Sequence, residues 1–502
     1  MKVIALPVLV AFGLLAAPVL AQKPVPAKVV PPGKVLEGKL NKALAHPALE
    51  RASVGVLVRS LDRGGKTIYA RNPDLALMPA SNMKILTAAA ALGVLGPEFV
   101  FHTKVARIDP QTLVLIGSGD PSLDDARLKD LAEAVKNDYK KFRGVNTVEK
   151  IVVDASRFDS QGLGEGWQWD DESFGFSAQS SGLNVNENVV KLVVTPGVSE
   201  GDPASVASDG FLKLTGAIQT VSGGEGGVRA ERRRGLDEVL LSGRVKLGGA
   251  PVTLQTTVER PALYAAHRFV LALRAAGVEV ADNVALVEEP APAGAETIAD
   301  TTSAPLAELC KRFLKNSDNL YGECLLKALG AEKSGLPGSS EGGAKAVKAF
   351  LASKKATLGG FAPSDGSGLS RLDEVTPRLL VETLTASVKT PGFAVALPIG
   401  GFDGTLRGRF VKTSAEGNVR AKTGTLLGVS ALSGYLTTKA GEKLVFSILM
   451  NHFDRATGAT AARQTQDAIV LALMDTPRAN PTLEKAAPPK KPAPAPKKKR
   501  RR

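Results

Sequence analysis

The chain has 502 residues, 44% hydrophobic and 23% charged, an ordinary globular composition that is long enough for several domains and a large core. The formal net charge is +14, but from Pro481 to Arg502 nine Lys/Arg stand against one Glu, so eight of the fourteen charges belong to the tail. The body is only mildly basic, which argues against a nucleic-acid binder: that function needs a basic stripe on the fold itself.

In chain order, Met1 to Ala21 places one lysine before an apolar run and ends on Val19-Leu20-Ala21, small residues suited to cleavage before Gln22. The run is short for a spanning helix, so residues 1–21 read as a signal peptide, with an uncleaved anchor as the alternative. The mature protein is then expected to be exported and soluble, in the periplasm or cell envelope. Residues 22–35 form a proline-rich linker. Strands are expected over Ala52–Ser60 and Lys66–Ala70 around a turn at Asp62–Gly65, followed by a helix over Ser81–Leu95. From 99 to 300 the texture is β-rich, interrupted by one helix at Pro261–Ala276. Helices return at Pro305–Lys315, Leu320–Leu329, Gly343–Lys354 and Thr376–Ser387. Strands at Val429–Leu436 and Lys443–Met450 lead to a last helix, Thr460–Met474. The fold class is α+β and multi-domain: 36–98 with 301–475 make one split domain, 99–300 is an insertion of two subdomains, and 476–502 is a disordered basic tail.

Metal chemistry finds little support. The four histidines show no metal-binding spacing, and Cys310 and Cys324 are too few for a zinc site. In an exported chain these cysteines pair, or else both are small buried side chains. No P-loop is present.

Ser81-Asn82-Met83-Lys84 is a Ser-x-x-Lys at a helix start, and a spacing of three puts Ser81 and Lys84 on one face. An amine beside a hydroxyl activates it as a nucleophile if its pKa is lowered. Alone, this pattern is equally an N-capping serine and a surface lysine. Ser317-Asp318-Asn319 between two helices is Ser-x-Asn, otherwise a capped turn. Lys422-Thr423-Gly424-Thr425 ahead of a strand is Lys-Thr-Gly, otherwise an edge with a solvated lysine. The three in this order are the signature of penicillin-binding proteins and class A β-lactamases.

The chain resembles the D-Ala-D-Ala carboxypeptidase/endopeptidase family of low-molecular-mass penicillin-binding proteins, whose transpeptidase-like domain (an antiparallel sheet flanked by helices) carries a large insertion. Further matches are Gly117–Leu123, Gly166–Asp171, Asp365–Arg371 and Leu397–Leu406. The resemblance implies Ser81 as nucleophile, Lys84 as base, Ser317 as proton relay and Asn319 as orienter. It implies Lys422, Thr423, Gly424 and Thr425 as substrate-binding residues. It also implies a pocket for the third residue of the stem peptide, lined by Asp171, Phe176, Arg371 and Leu427. Peptidoglycan stem peptides would be substrates and β-lactam antibiotics acylating inhibitors, with no metal, cofactor or nucleic acid. The alternatives are a β-lactamase or D-amino-acid esterase of the same fold, and a non-catalytic envelope scaffold. The tail is expected to attach weakly, in a salt-sensitive way, to an anionic envelope polymer or membrane surface. Removing residues 477–502 should then weaken low-salt binding to isolated envelopes, and unchanged binding would exclude this role.

Overall fold

The computed structural model describes residues 34–141, 147–224, 226–454 and 456–476. The expected signal peptide, nearly all of the linker and the basic tail lie outside these residues. The chain enters through a helix at Lys34–Leu44, which takes up the last two residues of the expected linker.

A five-stranded antiparallel sheet organises the first body, in the order Val419–Leu426, Val429–Thr437, Lys443–Asn451, Ser53–Ser60, Thr67–Arg71. Its central strands are apolar on both faces because both faces are covered. The Lys34–Leu44 and Gly458–Met474 helices pack on one face. On the other lies a helical layer around Met83–Val94, a helix buried along almost its whole length. Around it pack Leu306–Asn316, Asn319–Ser334, Ser340–Ser353 and Pro377–Ser387.

Between Phe101 and Ser303 the chain builds a second body. Its first strand, His102–Asp109, pairs antiparallel with its last, Glu296–Thr302, so the outgoing and returning crossings lie side by side. These two belong to a mixed five-stranded sheet with Thr112–Gly117, Val148–Asp154 and Val280–Glu288. Two smaller sheets follow, one around Glu238–Lys246 and the other around Val189–Thr195.

Two sequence expectations need correction. The second body holds two long helices: Asp125–Tyr139 joins Pro261–Ala276, and the two pack together. The signal was present, with Asp124 as N-cap and apolar residues at Leu128, Leu131, Ala132, Val135 and Tyr139 in helical spacing. The Lys-Thr-Gly motif does not precede a strand but lies inside one, Val419–Leu426, at the sheet edge. Of the two readings open for Cys310 and Cys324, the buried one holds: both are free thiols in the helical core, where burial pushes the Cys310 thiol up to about 12.

Candidate active site

The site forms where the central helix, the turn between two helices and the sheet edge meet. A single 3-10 turn, Ala80–Asn82, leads into the Met83–Val94 helix and leaves Ser81 partly exposed at its start. Ala80 holds φ +46°, a left-handed conformation unusual for a residue with a side chain. Such strain concentrates at sites where the surroundings over-determine the backbone. Here the constraint is visible: Gly368, at φ +81°, sits so close that a Cβ on it would overlap the Ala80 carbonyl.

Lys84 is completely buried one helical turn on. Its Nζ lies 3.1 Å from Ser81 Oγ, 2.6 Å from Asn319 Oδ1 and 2.6 Å from the carbonyl of Ser367. Burial lowers its pKa to about 8, against the opposing pull of Asp365, Glu323, Asp318 and Asp373. Ser317 caps the Leu306–Asn316 helix at φ +63° and Asp318 opens the next helix by accepting from Tyr321 N–H. That tight turn delivers Ser317 Oγ to 3.0 Å from Ser81 Oγ. Lys422 Nζ, also fully buried, donates to Ser317 Oγ at 2.9 Å and to the Thr423 carbonyl at 3.0 Å. Burial first, and then the neighbouring Lys84 charge, hold the Lys422 pKa well below the ordinary lysine value. A continuous chain thus runs from one buried amine through two hydroxyls to the other.

The edge strand is placed by its neighbours. Gly424 lies where a Cβ would meet the Pro79 carbonyl at 2.7 Å, so glycine lets the strand approach the serine turn. Asn82 Nδ2 donates to the Lys422 carbonyl at 3.1 Å, tying helix start to strand. The outer edge is covered at its beginning, where Ile399 bridges Arg420 and Ala421 N–H donates to Pro398. Beyond that bridge, the half that carries Lys422–Thr425 flanks Ser81. Thr423 Oγ1 is 2.8 Å from Thr405 Oγ1.

Every residue of the three motifs expected to act together is brought together. The four expected pocket residues are grouped beside them. Phe176 accepts a hydrogen bond from Asn319 Nδ2 on its carbonyl at 2.7 Å. Arg371 Nη1 donates to the Leu427 carbonyl at 3.2 Å and its Nε to Gln168 Oε1 at 3.1 Å. Asp171 has a raised pKa from burial and from the adjacent Asp170, opposed by Arg371. Arg371 therefore also braces its own surroundings, clamping the second body to the end of the edge strand.

Sequence reasoning missed the support beneath the site. Asp365 is fully buried and accepts from the N–H groups of Ser367 (3.0 Å), Gly368 (2.5 Å) and Ser370 (2.7 Å), and from Ser367 Oγ and Trp167 Nε1. Glu323, one turn into the Asn319–Ser334 helix, accepts from Gly366 N–H, and burial pushes its carboxyl up to about 8. Together they fold the 365–371 loop so that the Ser367 carbonyl meets Lys84. The available signal was three acidic residues, Glu323, Asp365 and Asp373, in segments with no reason to be solvated.

A family model for D-Ala-D-Ala carboxypeptidase 3 (S13) matches residues 36–475. The chain belongs to that family. Among its relatives, a D-alanyl-D-alanine carboxypeptidase from Actinomadura sp. (strain R39) is 37% identical over 88% of this chain and 84% of its own length. The D-alanyl-D-alanine carboxypeptidase DacB of Haemophilus influenzae is 28% identical over 80% of this chain and 86% of its own. The crystal structure of penicillin binding protein 4 from the same organism superposes with a TM-score of 0.76 at 25% identity, covering 88% of this chain and 99% of that one. Membership of the family confirms the resemblance drawn from the motifs. Among the described residues no group of His, Cys, Asp and Glu is arranged to hold a metal ion, and no helix is long and apolar enough to cross a membrane.

Proposed function

We propose that this protein is a serine-type D-alanyl-D-alanine carboxypeptidase that works through an acyl-enzyme on Ser81. The observation that carries the reading is Lys84: a fully buried amine, 3.1 Å from Ser81 Oγ, with its pKa brought down to about 8. A buried lysine with no catalytic duty is a cost to the fold, whereas one beside a hydroxyl is a base.

The D-Ala-D-Ala end of a stem peptide lies along the open half of the Val419–Leu426 edge, as an added strand. Its terminal carboxylate is held by Lys422 and by the Thr423 hydroxyl. Ser81 Oγ attacks the carbonyl of the penultimate D-alanine while neutral Lys84 takes the hydroxyl proton. The N–H groups of Ser81 and Thr425 receive the oxyanion. The C–N bond then breaks and the proton returns through Ser317 to the departing D-alanine amine. Asn319 keeps Lys84 oriented, and water hydrolyses the ester to regenerate Ser81. The same steps cleave a D-alanyl–diaminopimelate cross-link, where the leaving amine belongs to a second stem peptide. The third residue of the stem peptide would lie against Phe176 and Leu427, with Asp171 available to its ammonium and Arg371 to its carboxylate. β-Lactams imitate the D-Ala-D-Ala end and leave a slow ester on Ser81. Export through residues 1–21 brings the enzyme to its substrate in the cell envelope.

Intact-mass analysis after benzylpenicillin should find one covalent adduct, mapped to the peptide holding Ser81. D-Alanine should be released from an N-acylated D-Ala-D-Ala peptide. A folded protein that gains no adduct would overturn the acyl-enzyme reading. Rapid penicillin hydrolysis without accumulation would make it a β-lactamase instead.

A further inference from the structure

Next to the site, the 166–176 segment presents aromatic surface to solvent. Trp169 is 71% exposed and Phe174 53% exposed, although both lie in a segment tied down at several points. Phe174 stacks on Phe176, ring centroids 5.5 Å apart and planes within 6°. The Phe176 carbonyl in turn holds Asn319. Trp169 and Phe174 line a cleft of 680 Å³ between this segment and the strands Gly227–Arg232 and Val252–Thr257.

The floor of the cleft is fixed. Arg232, its side chain wholly buried, pairs with Glu259 and with Glu172, 3.5 Å away, and its N–H donates to Ser173 Oγ at 2.9 Å. Arg234 adds a 3.1 Å contact to Glu172. Above this rigid base the wall offers Asp170, Arg229, Glu231 and Gln255 around the aromatic faces. Large exposed aromatic surface at a preformed cleft marks a binding site, and this volume is of the size that takes a small ligand. Flat rings flanked by both acidic and basic hydrogen-bonding groups suit a neutral, hydroxyl-rich pyranose. Its C–H face packs on an aromatic face while its rim finds donors and acceptors.

We propose that this cleft binds the N-acetylhexosamine portion of the substrate, the sugar to which the stem peptide is attached. The inference rests on the carboxypeptidase reading, which supplies a peptide joined to a glycan. The acyl side of the stem peptide has about four residues, spanning roughly 13–14 Å when extended. Phe176, whose carbonyl holds Asn319, stacks on Phe174 at the edge of the cleft, so the cleft adjoins the site.

Trp169→Ala and Trp169→Phe test it against two substrates, a free N-acylated D-Ala-D-Ala peptide and a disaccharide-linked pentapeptide. Benzylpenicillin acylation and hydrolysis of the free peptide should match wild type in both variants. For the disaccharide-linked substrate, Trp169→Ala should raise KM about tenfold, and Trp169→Phe should recover part of the loss. A peptide-free N-acetylhexosamine oligomer should quench tryptophan fluorescence in Ser81→Ala protein and fail to do so in Ser81→Ala/Trp169→Ala. Equal effects on both substrates, no effect on either, or oligomer binding that survives loss of Trp169 would overturn the proposal. Because oligomer binding is read without turnover, failure of the acyl-enzyme reading would show separately, as the missing adduct on Ser81.

Discussion

Lys84→Met should slow acylation by benzylpenicillin roughly 10²–10⁴-fold, the range over which a positioned general base contributes, while the protein stays folded. Methionine matches the length of the lysine stem and removes a fully buried amine, so the packing against the helical layer is kept. What is lost is the proton acceptor for Ser81 and the 2.6 Å contacts to Asn319 Oδ1 and the Ser367 carbonyl. The wild-type profile carries the complementary signature. Lys84 accepts the proton only when neutral, so the acylation rate should climb as pH rises through about 8, where burial has set its pKa. In Lys84→Met the residual rate should lose that rise. Stopped-flow acylation from pH 6 to 9 measures both. A Lys84→Met protein that acylates at the wild-type rate would remove the lysine from the mechanism.

Asp365→Asn should damage both the fold and the pH profile. The carboxylate receives five hydrogen bonds and offers none, and an amide would turn an NH₂ toward donors on whichever side it faced. Each buried donor left unsatisfied costs about 1–3 kcal/mol, so a loss of at least about 3 kcal/mol in unfolding free energy is expected. It should be visible as a lower denaturation midpoint. Asp365 acts on catalysis as a positioning residue, because its loop presents the Ser367 carbonyl to Lys84. A shift of that carbonyl by about 1 Å can cost 10²-fold in rate. Asp365 is also the first of the charges that hold the Lys84 pKa up, so its neutralisation should move the rising limb to lower pH. A merely structural role would lower the midpoint and leave the limb in place. Trp167→Phe removes a single donor to the same carboxylate and should give a smaller loss, about 1 kcal/mol.

The catalytic constellation was legible in the sequence to an unusual degree. Ser81 and Lys84 are three apart, Ser81 in a 3-10 turn and Lys84 in the first turn of the helix that follows, a spacing near one full turn in either geometry. Ser317 and Asn319 share one turn between helices, and Lys422–Thr425 share one strand, so each motif is a local unit. Their meeting point could be assigned only because the three local units together match a known order. Less was legible where the local signal was weak. Val419–Leu426 contains Arg420, Lys422 and Gly424, poor strand formers, and becomes a strand because it pairs residue for residue with Val429–Leu436. The partners of the buried carboxylates were not legible. Trp167 and Asp365 are separated by 198 positions, and nothing near either announces the other.

The sequence alone determined the chemical groups: a serine with a lysine one turn away, a hydroxyl and an amide on a tight turn, and a lysine followed by threonine and glycine. The tertiary structure decided their protonation and aim. It buried Lys84 so that its amine is a base near pH 8, stacked Gly368 under Ala80, and closed the 365–371 loop against Lys84 with Asp365 inside the loop and Glu323 from a neighbouring helix. Spacing along a helix or strand is set by local covalent geometry. Desolvation and hydrogen-bond satisfaction are set by whatever the rest of the chain packs against each group.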